Sequence, residues 1–324
     1  MASSRVNKHL QSRQECPACE STSSETLYRA SYTESPIRNY LAAFYATTGK
    51  GMEFEYLEGS EYILEACRDC GLIYQKQVLS ALLLRKLYEQ WLDPRRVEES
   101  ERRERKARYY LWCAAETARV IEYLQKLPSD VKFLDFGMGR GNWCLIAKGF
   151  GCEVYGMEIS DAWQEHANAL GITLLNWEDL AGHKFDFINA EQVFEHLTDP
   201  LPTLTRLRHA LSPNGIIRIN VPGGHDIRRA LRAPDWLAPH GPPDYLNDVA
   251  PLQHLNYFNF EALVRMARKA GLEDVEVPGE LLQPEDFTGK LKEFLRPVFR
   301  ALFPAIHEAR RRQGTNVCFR LPTT

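Results

Sequence analysis

No apolar run in the 324 residues approaches the roughly 18 needed to cross a bilayer. The amino-terminal stretch MASSRVNKHLQSRQE lacks the apolar segment of a secretory signal, so a cytoplasmic, reducing location is expected and disulfides are not. An excess of one charge is missing too. Lys and Arg number 40 against 43 Asp and Glu, a net charge of -3, which leaves no surplus of cations for a broad phosphate-binding surface and argues against a nucleic-acid partner. There is no internal repeat and no low-complexity tract. What is present is ordinary globular usage, 44% apolar and 26% charged, in a length of about two domains of roughly 150 residues each.

Four of the eight cysteines form two CxxC pairs, Cys16-Pro-Ala-Cys19 and Cys67-Arg-Asp-Cys70, the second followed by Gly71. Two thiolates three positions apart on a tight turn can face one ion, and Zn2+ takes four such ligands in a tetrahedron. Filled by sulfur at every position, such a site is structural rather than catalytic. The alternative is a redox CxxC or buried free thiols. Residues 20 to 66 separate the pairs, more than the roughly 15 to 20 of compact zinc ribbons. Cys113, Cys144, Cys152 and Cys318 stand singly in apolar contexts and read as core.

Leu79 to Leu92 is helical up to Pro94. Arg95 to Arg108 mixes both signs, as a solvated helix face or a phosphate-binding patch would. Tyr109 to Leu124 reads as an amphipathic helix closed by Pro128. From Val131 the pattern changes. Val131 to Phe136, Glu153 to Met157, Thr173 to Leu175, Phe185 to Ala190 and Ile216 to Val221 read as strands, with helices at Asn142 to Gly149, Asp161 to Leu170 and Pro200 to Leu211 between them. Alternation of this kind predicts an α/β fold with a mostly parallel, Rossmann-like sheet.

The first of these strands runs into Asp135-x-Gly137-x-Gly139-x-Gly141 and then a helix. The glycines let backbone approach a ligand at the carboxyl edge of the sheet. A dinucleotide fingerprint requires Gly where Asn142 stands, and Asp135 would repel a diphosphate. The ammonium and sulfonium of S-adenosylmethionine suit a carboxylate instead. Glu158, 17 residues beyond Gly141, ends the next strand near the roughly 20 at which such folds place a ribose-binding acid. After the third strand, Asn176 and Trp177 offer a polar group and an aromatic edge for adenine.

These stretches, LDFGMGRGN, VYGMEIS, Phe185 to Leu197 (FDFINAEQVFEHL) and Leu211 to Pro222 (LSPNGIIRINVP), resemble the class I S-adenosylmethionine-dependent methyltransferases. The resemblance implies a seven-stranded sheet with its last strand antiparallel, for which Leu272 to Val277 and Asn316 to Leu321 are placed to be the final two. It also implies that Gly137, Gly139 and Gly141 pass beneath the cofactor, that Asp135 serves its methionine end, Glu158 its ribose and Asn176 or Trp177 its adenine. Glu191 and Gln192 would line the sulfonium side. The expected organisation is a zinc-binding module over 1–78, a helical connector over 79–108 and a methyltransferase domain over 109–324 with a lid at 222–256.

Methyl transfer asks the protein to align acceptor and methyl group, and a base is needed only for a protonated acceptor. His196 and His254 are the candidates, since imidazole titrates near pH 6.5. For His196 the alternative is a loop histidine that packs and caps the following helix. The two CxxC pairs beside this domain are similar to the deoxysugar C-methyltransferases and to enzymes of polysaccharide and secondary-metabolite pathways, where a Glu-His pair removes a proton from carbon. Here the pair reads Gln253-His254, so a hydroxyl or amine acceptor is equally open. In the lid, His225, Asp226, Arg228, Arg229, Asp235, Trp236, His240 and Tyr245 would grip a polar substrate or form a solvated loop. Leu291 to Ile306 carries an apolar stripe beside Arg310 to Arg312, for a core, a homodimer face or a membrane surface. The expected function is methyl transfer from S-adenosylmethionine to a small polar acceptor (sugar, nucleotide sugar or secondary metabolite). The competing readings are an RNA methyltransferase gripping its substrate with the zinc module, and a non-catalytic S-adenosylmethionine-binding protein.

Overall fold

The computed structural model describes residues 8–93, 96, 99, 106–223, 227–231, 249–278 and 315–323. The expected helical stripe of 291–306 with Arg310 to Arg312, most of the 95–108 connector, and the lid residues His225, Asp226, Asp235, Trp236, His240 and Tyr245 lie outside them. The chain divides into two compact units. One comprises Met1–Arg105, Phe194–Leu201 and Val221–Met266, the other Lys106–Val193, Pro202–Asn220 and Ala267–Thr324.

The second unit is built on a seven-stranded sheet. Its strands are β6 (Lys132–Phe136), β7 (Glu153–Met157), β8 (Thr173–Leu174), β9 (Phe185–Glu191), β10 (Leu211–Asn220), β12 (Glu273–Val275) and β13 (Asn316–Arg320). They lie in the order β12-β13-β10-β9-β6-β7-β8. Strands β6 to β10 are parallel, and β13 pairs antiparallel with both β10 and β12. Burial on both faces explains why these strands read as unbroken apolar runs: Phe133, Leu134, Phe185, Phe187 and Ile188 have no exposed surface. The chain steps from β6 outward to β8 and then returns to β9 on the other side of β6. The crevice that this reversal opens at the carboxyl ends of β6 and β9 is where such sheets bind ligands. Helices Ala107–Leu124 and Asn142–Phe150 bring Cys113, Val120, Trp143, Cys144 and Ala147 into one core with Phe133 and Phe187. Cys152 and Cys318 join that core, as their apolar settings predict. The fifth strand begins earlier than Ile216, at Leu211, because a register shift between Leu211 and Ile216 lets Leu211 pair with Phe185.

The first unit carries a four-stranded antiparallel sheet in the order β11-β4-β3-β2, with β2 at Ser24–Ser31, β3 at Glu61–Cys67, β4 at Ile73–Gln75 and β11 at Asn256–Tyr257. A two-stranded ribbon joins β1 (Leu10–Ser12) to β5 (Gln77–Leu79). Tyr32, Ile37, Leu41, Tyr45, Tyr62, Leu64 and Trp91 form its core. The helix expected from Leu79 starts at Ala81, because the Ser80 hydroxyl accepts the Leu83 N–H and so caps it. It ends at Lys86 and continues as a wider π turn over Leu87–Trp91. Among the described residues no helix is long and apolar enough to cross a membrane.

Candidate functional site

The glycine loop leaves β6 with positive φ at Gly137 (+70°), Gly139 (+51°) and Gly141 (+72°). The three are not equivalent. A Cβ on Gly137 would stand 2.6 Å from Val193 Cγ2 and one on Gly141 2.6 Å from Ile172 Cδ1, whereas one on Gly139 would enter open space. Gly137 and Gly141 are thus set by packing, and Gly139 bares its backbone to the crevice. Glu158, at the end of β7, closes this loop. Its Oε2 accepts the Gly139 N–H at 2.9 Å, and its Oε1 accepts those of Ile159 and Ser160 at 2.8 and 2.9 Å. An acid held by three backbone donors is fixed in place at the loop.

Asp135 lies one layer lower. It is 1% exposed, and its Oδ1 accepts from Asn189 Nδ2 at 2.8 Å. Burial pushes its carboxyl up to about 7, opposed by the Asn189 hydrogen bond. Asn189 in turn accepts from Arg218 Nη1 at 2.7 Å, and the same nitrogen lies 2.8 Å from Glu191 Oε2. Asn220 Nδ2 donates to the other Glu191 oxygen at 2.8 Å. Arg218 has no exposed side chain; its guanidinium lies over the Trp143 and Trp112 rings at 4.7 and 5.2 Å. Its Nε is 3.4 Å from Glu116 Oε2, and its Nη2 has no hydrogen-bond partner among the described residues. This buried arginine was missed by pattern reading. The signal was there in Ile216-Ile-Arg-Ile-Asn220, since a charge inside a buried strand has to be paired. Gln192 follows with φ +55°, its N–H donating to Asn220 O at 2.8 Å.

The adenine candidates divide. Asn176 spends its side chain locally, accepting the N–H groups of Glu178 and Asp179 at 2.8 and 2.9 Å to cap helix Trp177–Leu180. Trp177 sits 5.5 Å from the Phe136 ring, with the Arg206 guanidinium 4.0 Å above it. The open glycine crevice, the fixed Glu158 and the unfilled Arg218 donor fit a zwitterionic nucleoside carrying both an ammonium and a carboxylate.

In the first unit, His196 and His254 are brought together, with ring centroids 4.8 Å apart and planes at 71°. The Gln253 carbonyl lies 3.0 Å from His196 Nδ1, and because a carbonyl only accepts, Nδ1 carries the proton and Nε2 the lone pair. His196 therefore bonds back to the segment of His254 rather than serving only as a cap. Burial drives its imidazole down to about 3, helped by His254 and opposed by the Gln253 carbonyl. Beside it stands Glu195, 2% exposed, with Oε1 3.9 Å from His196 Nε2. Glu195 thus puts a buried carboxyl near the imidazole, at a distance beyond a hydrogen bond. Gln75, fully buried on β4, donates to the His254 carbonyl at 2.7 Å.

The four knuckle cysteines also converge. Cys16 and Cys70 sulfurs are 3.6 Å apart, Cys19 and Cys67 3.5 Å, and all four lie within 4.8 Å of one another. The two turns match: Glu20 and Gly71 each follow their CxxC with positive φ, at +59° and +77°. The long span between the pairs is occupied by β2, helix Ile37–Thr48 and β3, and β2 pairs with β3 so that Ser24 stands opposite Cys67. The Cys70 hydrogen bond lowers the Cys16 thiol to about 6, and burial raises Cys19 to about 12. Full ionisation of so close a set calls for a cation, and the donor set is one that can hold a metal.

A family model described as "Methyltransferase domain" matches residues 102–277, more than half of the 324 residues. The chain is similar to a "Ubiquinone biosynthesis O-methyltransferase" of Cereibacter sphaeroides (strain ATCC 17025), 26% identical over 178 residues, 50% of this chain and 68% of that protein. A protein of the same name from Thiobacillus denitrificans is 25% identical over 169 residues, covering 47% of this chain and 69% of its own length. Among solved structures, the plantazolicin methyltransferase BpumL in complex with SAH covers 73% of this chain and 91% of its own, at 16% identity and a TM-score of 0.44. A likeness of that degree carries no weight for the chemistry.

Proposed function

We propose that this chain, which belongs to the methyltransferase-domain family and is an S-adenosylmethionine-dependent methyltransferase, methylates a small polar acceptor, a sugar, nucleotide sugar or secondary metabolite, whose proton passes to a histidine pair. The observation that carries this reading is the approach of His196 and His254 to 4.8 Å beside the buried Glu195. His196 follows Glu191 by five residues along the chain, just beyond the end of β9. Burial keeps His196 neutral and a poor holder of a second proton, which leaves His254 as the proposed proton acceptor.

Bound S-adenosylmethionine supplies a methyl carbon activated by positive sulfur. The chain's own residues then bind and align. Gly137, Gly139 and Gly141 shape the floor, Glu158 accepts the ribose hydroxyls, and Trp177 with the Asn176 backbone borders the adenine. Glu191 and Gln192 face the sulfonium side, with Glu191 held in place by Arg218 and Asn220. Asp135 acts on the methionine end from beneath the loop rather than by contact, since its carboxyl is enclosed. His254 would take the acceptor's proton as the acceptor is methylated, with His196 and Glu195 orienting it. Cys16, Cys19, Cys67 and Cys70 hold one structural zinc.

The test is calorimetric titration of metal-loaded protein with S-adenosylmethionine, followed by transfer of tritiated methyl into a fractionated small-molecule extract and, in parallel, into RNA. Absence of binding refutes the cofactor reading. Label in RNA alone refutes the small-molecule acceptor.

A further inference from the structure

One residue outside the catalytic candidates touches both histidine segments. Arg13 lies one position beyond β1 and three before Cys16. Its Nη1 donates to the carbonyls of Gln75 and Leu255 at 3.2 and 3.3 Å and to Asn256 Oδ1 at 3.0 Å. Its Nη2 donates to the carbonyls of Leu197 and Thr198 at 3.1 and 2.6 Å. Leu197 and Thr198 follow His196 directly, and Leu255 and Asn256 follow His254 directly. The same two segments are bonded to each other: Asn256 Nδ2 donates to the Phe194 and Leu197 carbonyls at 2.9 and 2.7 Å, and Leu255 N–H to the Glu195 carbonyl at 2.6 Å.

As a stabilising device this is poor. The Nε is shielded from water without a hydrogen-bond partner among the described residues, and burial lowers the guanidinium to about 10 against the pull of Asp199. A cation enclosed among neutral carbonyls costs desolvation that an apolar side chain would avoid. What it supplies is geometry. The planar fork offers donors in fixed directions, enough for five acceptors on three segments, which a lysine ammonium cannot match.

We propose that Arg13 is a positioning residue, holding the His196 and His254 segments in the register that brings their rings together. This rests on the reading of the histidine pair as the site of proton removal. The test is nitrogen-15 NMR of the histidine side chains in the full-length, metal-loaded protein, comparing wild type with Arg13→Lys and Arg13→Ala. In wild type, His196 shows a single Nδ1–H tautomer and titrates well below the ordinary imidazole range. In both variants, with S-adenosylmethionine binding and metal content retained, the tautomers mix and the titration moves up toward about 6.5. Arg13→Lys carries the test should Arg13→Ala fail to fold. Wild-type His196 signals in a folded variant overturn the proposal. Turnover of His254→Ala separates the two claims. If that variant keeps full activity while Arg13→Lys displaces the His196 signals, the positioning stands and the catalytic reading falls. If His254→Ala is inactive and Arg13→Lys leaves the signals in place, the positioning alone falls.

Discussion

Asp135 Oδ1 on β6 accepts from Asn189 Nδ2 on β9 at 2.8 Å, across a strand pair that excludes water. The carboxyl, raised from 3.8 to about 7 chiefly by burial, is protonated in the folded state over a range where the unfolded chain has lost its proton. Its contribution is therefore fully present below pH ~4 and lost as pH rises toward 7, by at most about 4 kcal/mol. Asp135→Asn mimics the protonated form and should match wild type at pH 4 and exceed it in melting temperature at pH 7 and above. A difference between the two proteins that does not change with pH would contradict the assignment.

Arg218 should be the costliest surface-remote charge to remove. Arg218→Met leaves Glu191 without its cation while Glu116 keeps Arg119 at 2.6 Å, and breaking a pair made by a fully buried arginine typically costs about 3 kcal/mol or more. Urea unfolding at neutral pH checks this, and a loss below about 1 kcal/mol would show that the pairing is dispensable.

The glycines of the loop should part company. In Gly137→Ala the new methyl meets Val193, so stability falls; in Gly139→Ala it enters open space at φ +51°. The second variant should retain most of its melting temperature and lose at least tenfold in S-adenosylmethionine affinity, about 1.4 kcal/mol. Calorimetry and thermal melts on the same samples separate the two effects.

Turnover should respond to the histidine pair without a matching change in cofactor binding. His254→Ala is expected to slow methyl transfer by about 100-fold or more while calorimetry returns the wild-type S-adenosylmethionine affinity. Unaltered turnover would remove His254 from the mechanism.

Chelation should extract one metal ion per chain and lower the melting temperature while leaving a cooperative transition, because the β2–β3 ladder is held by backbone pairing rather than by the sulfurs. Cys16→Ser should reproduce the drop. A preparation with no stoichiometric metal refutes the four-cysteine site.

Much of the second unit was legible because its signals are local. Glu153–Met157 has the bounds its apolar run predicts, and β12 and β13 fall inside the stretches expected to close the sheet. The DxGxGxG loop announces itself through positions that only glycine fills easily. The partners of Arg218 and Arg13 were not legible, since they are remote: Glu191 and Glu116 for one, Leu197 and Asn256 for the other. Short strands such as β1, β5 and β11 escaped for the same reason, having too few residues to show a period. Asn176 shows a local demand that composition did not reveal, its Oδ1 capping Glu178 and Asp179.

The pairing of Ser24 with Cys67 puts the two halves of the sulfur cluster at the same end of one antiparallel strand pair. An incoming ion therefore meets thiols already gathered by some forty residues of folded chain, instead of drawing together two distant stretches of coil. Loading of such a site would be a matter of proton release and ligand exchange at sulfurs that already lie within 4.8 Å of one another.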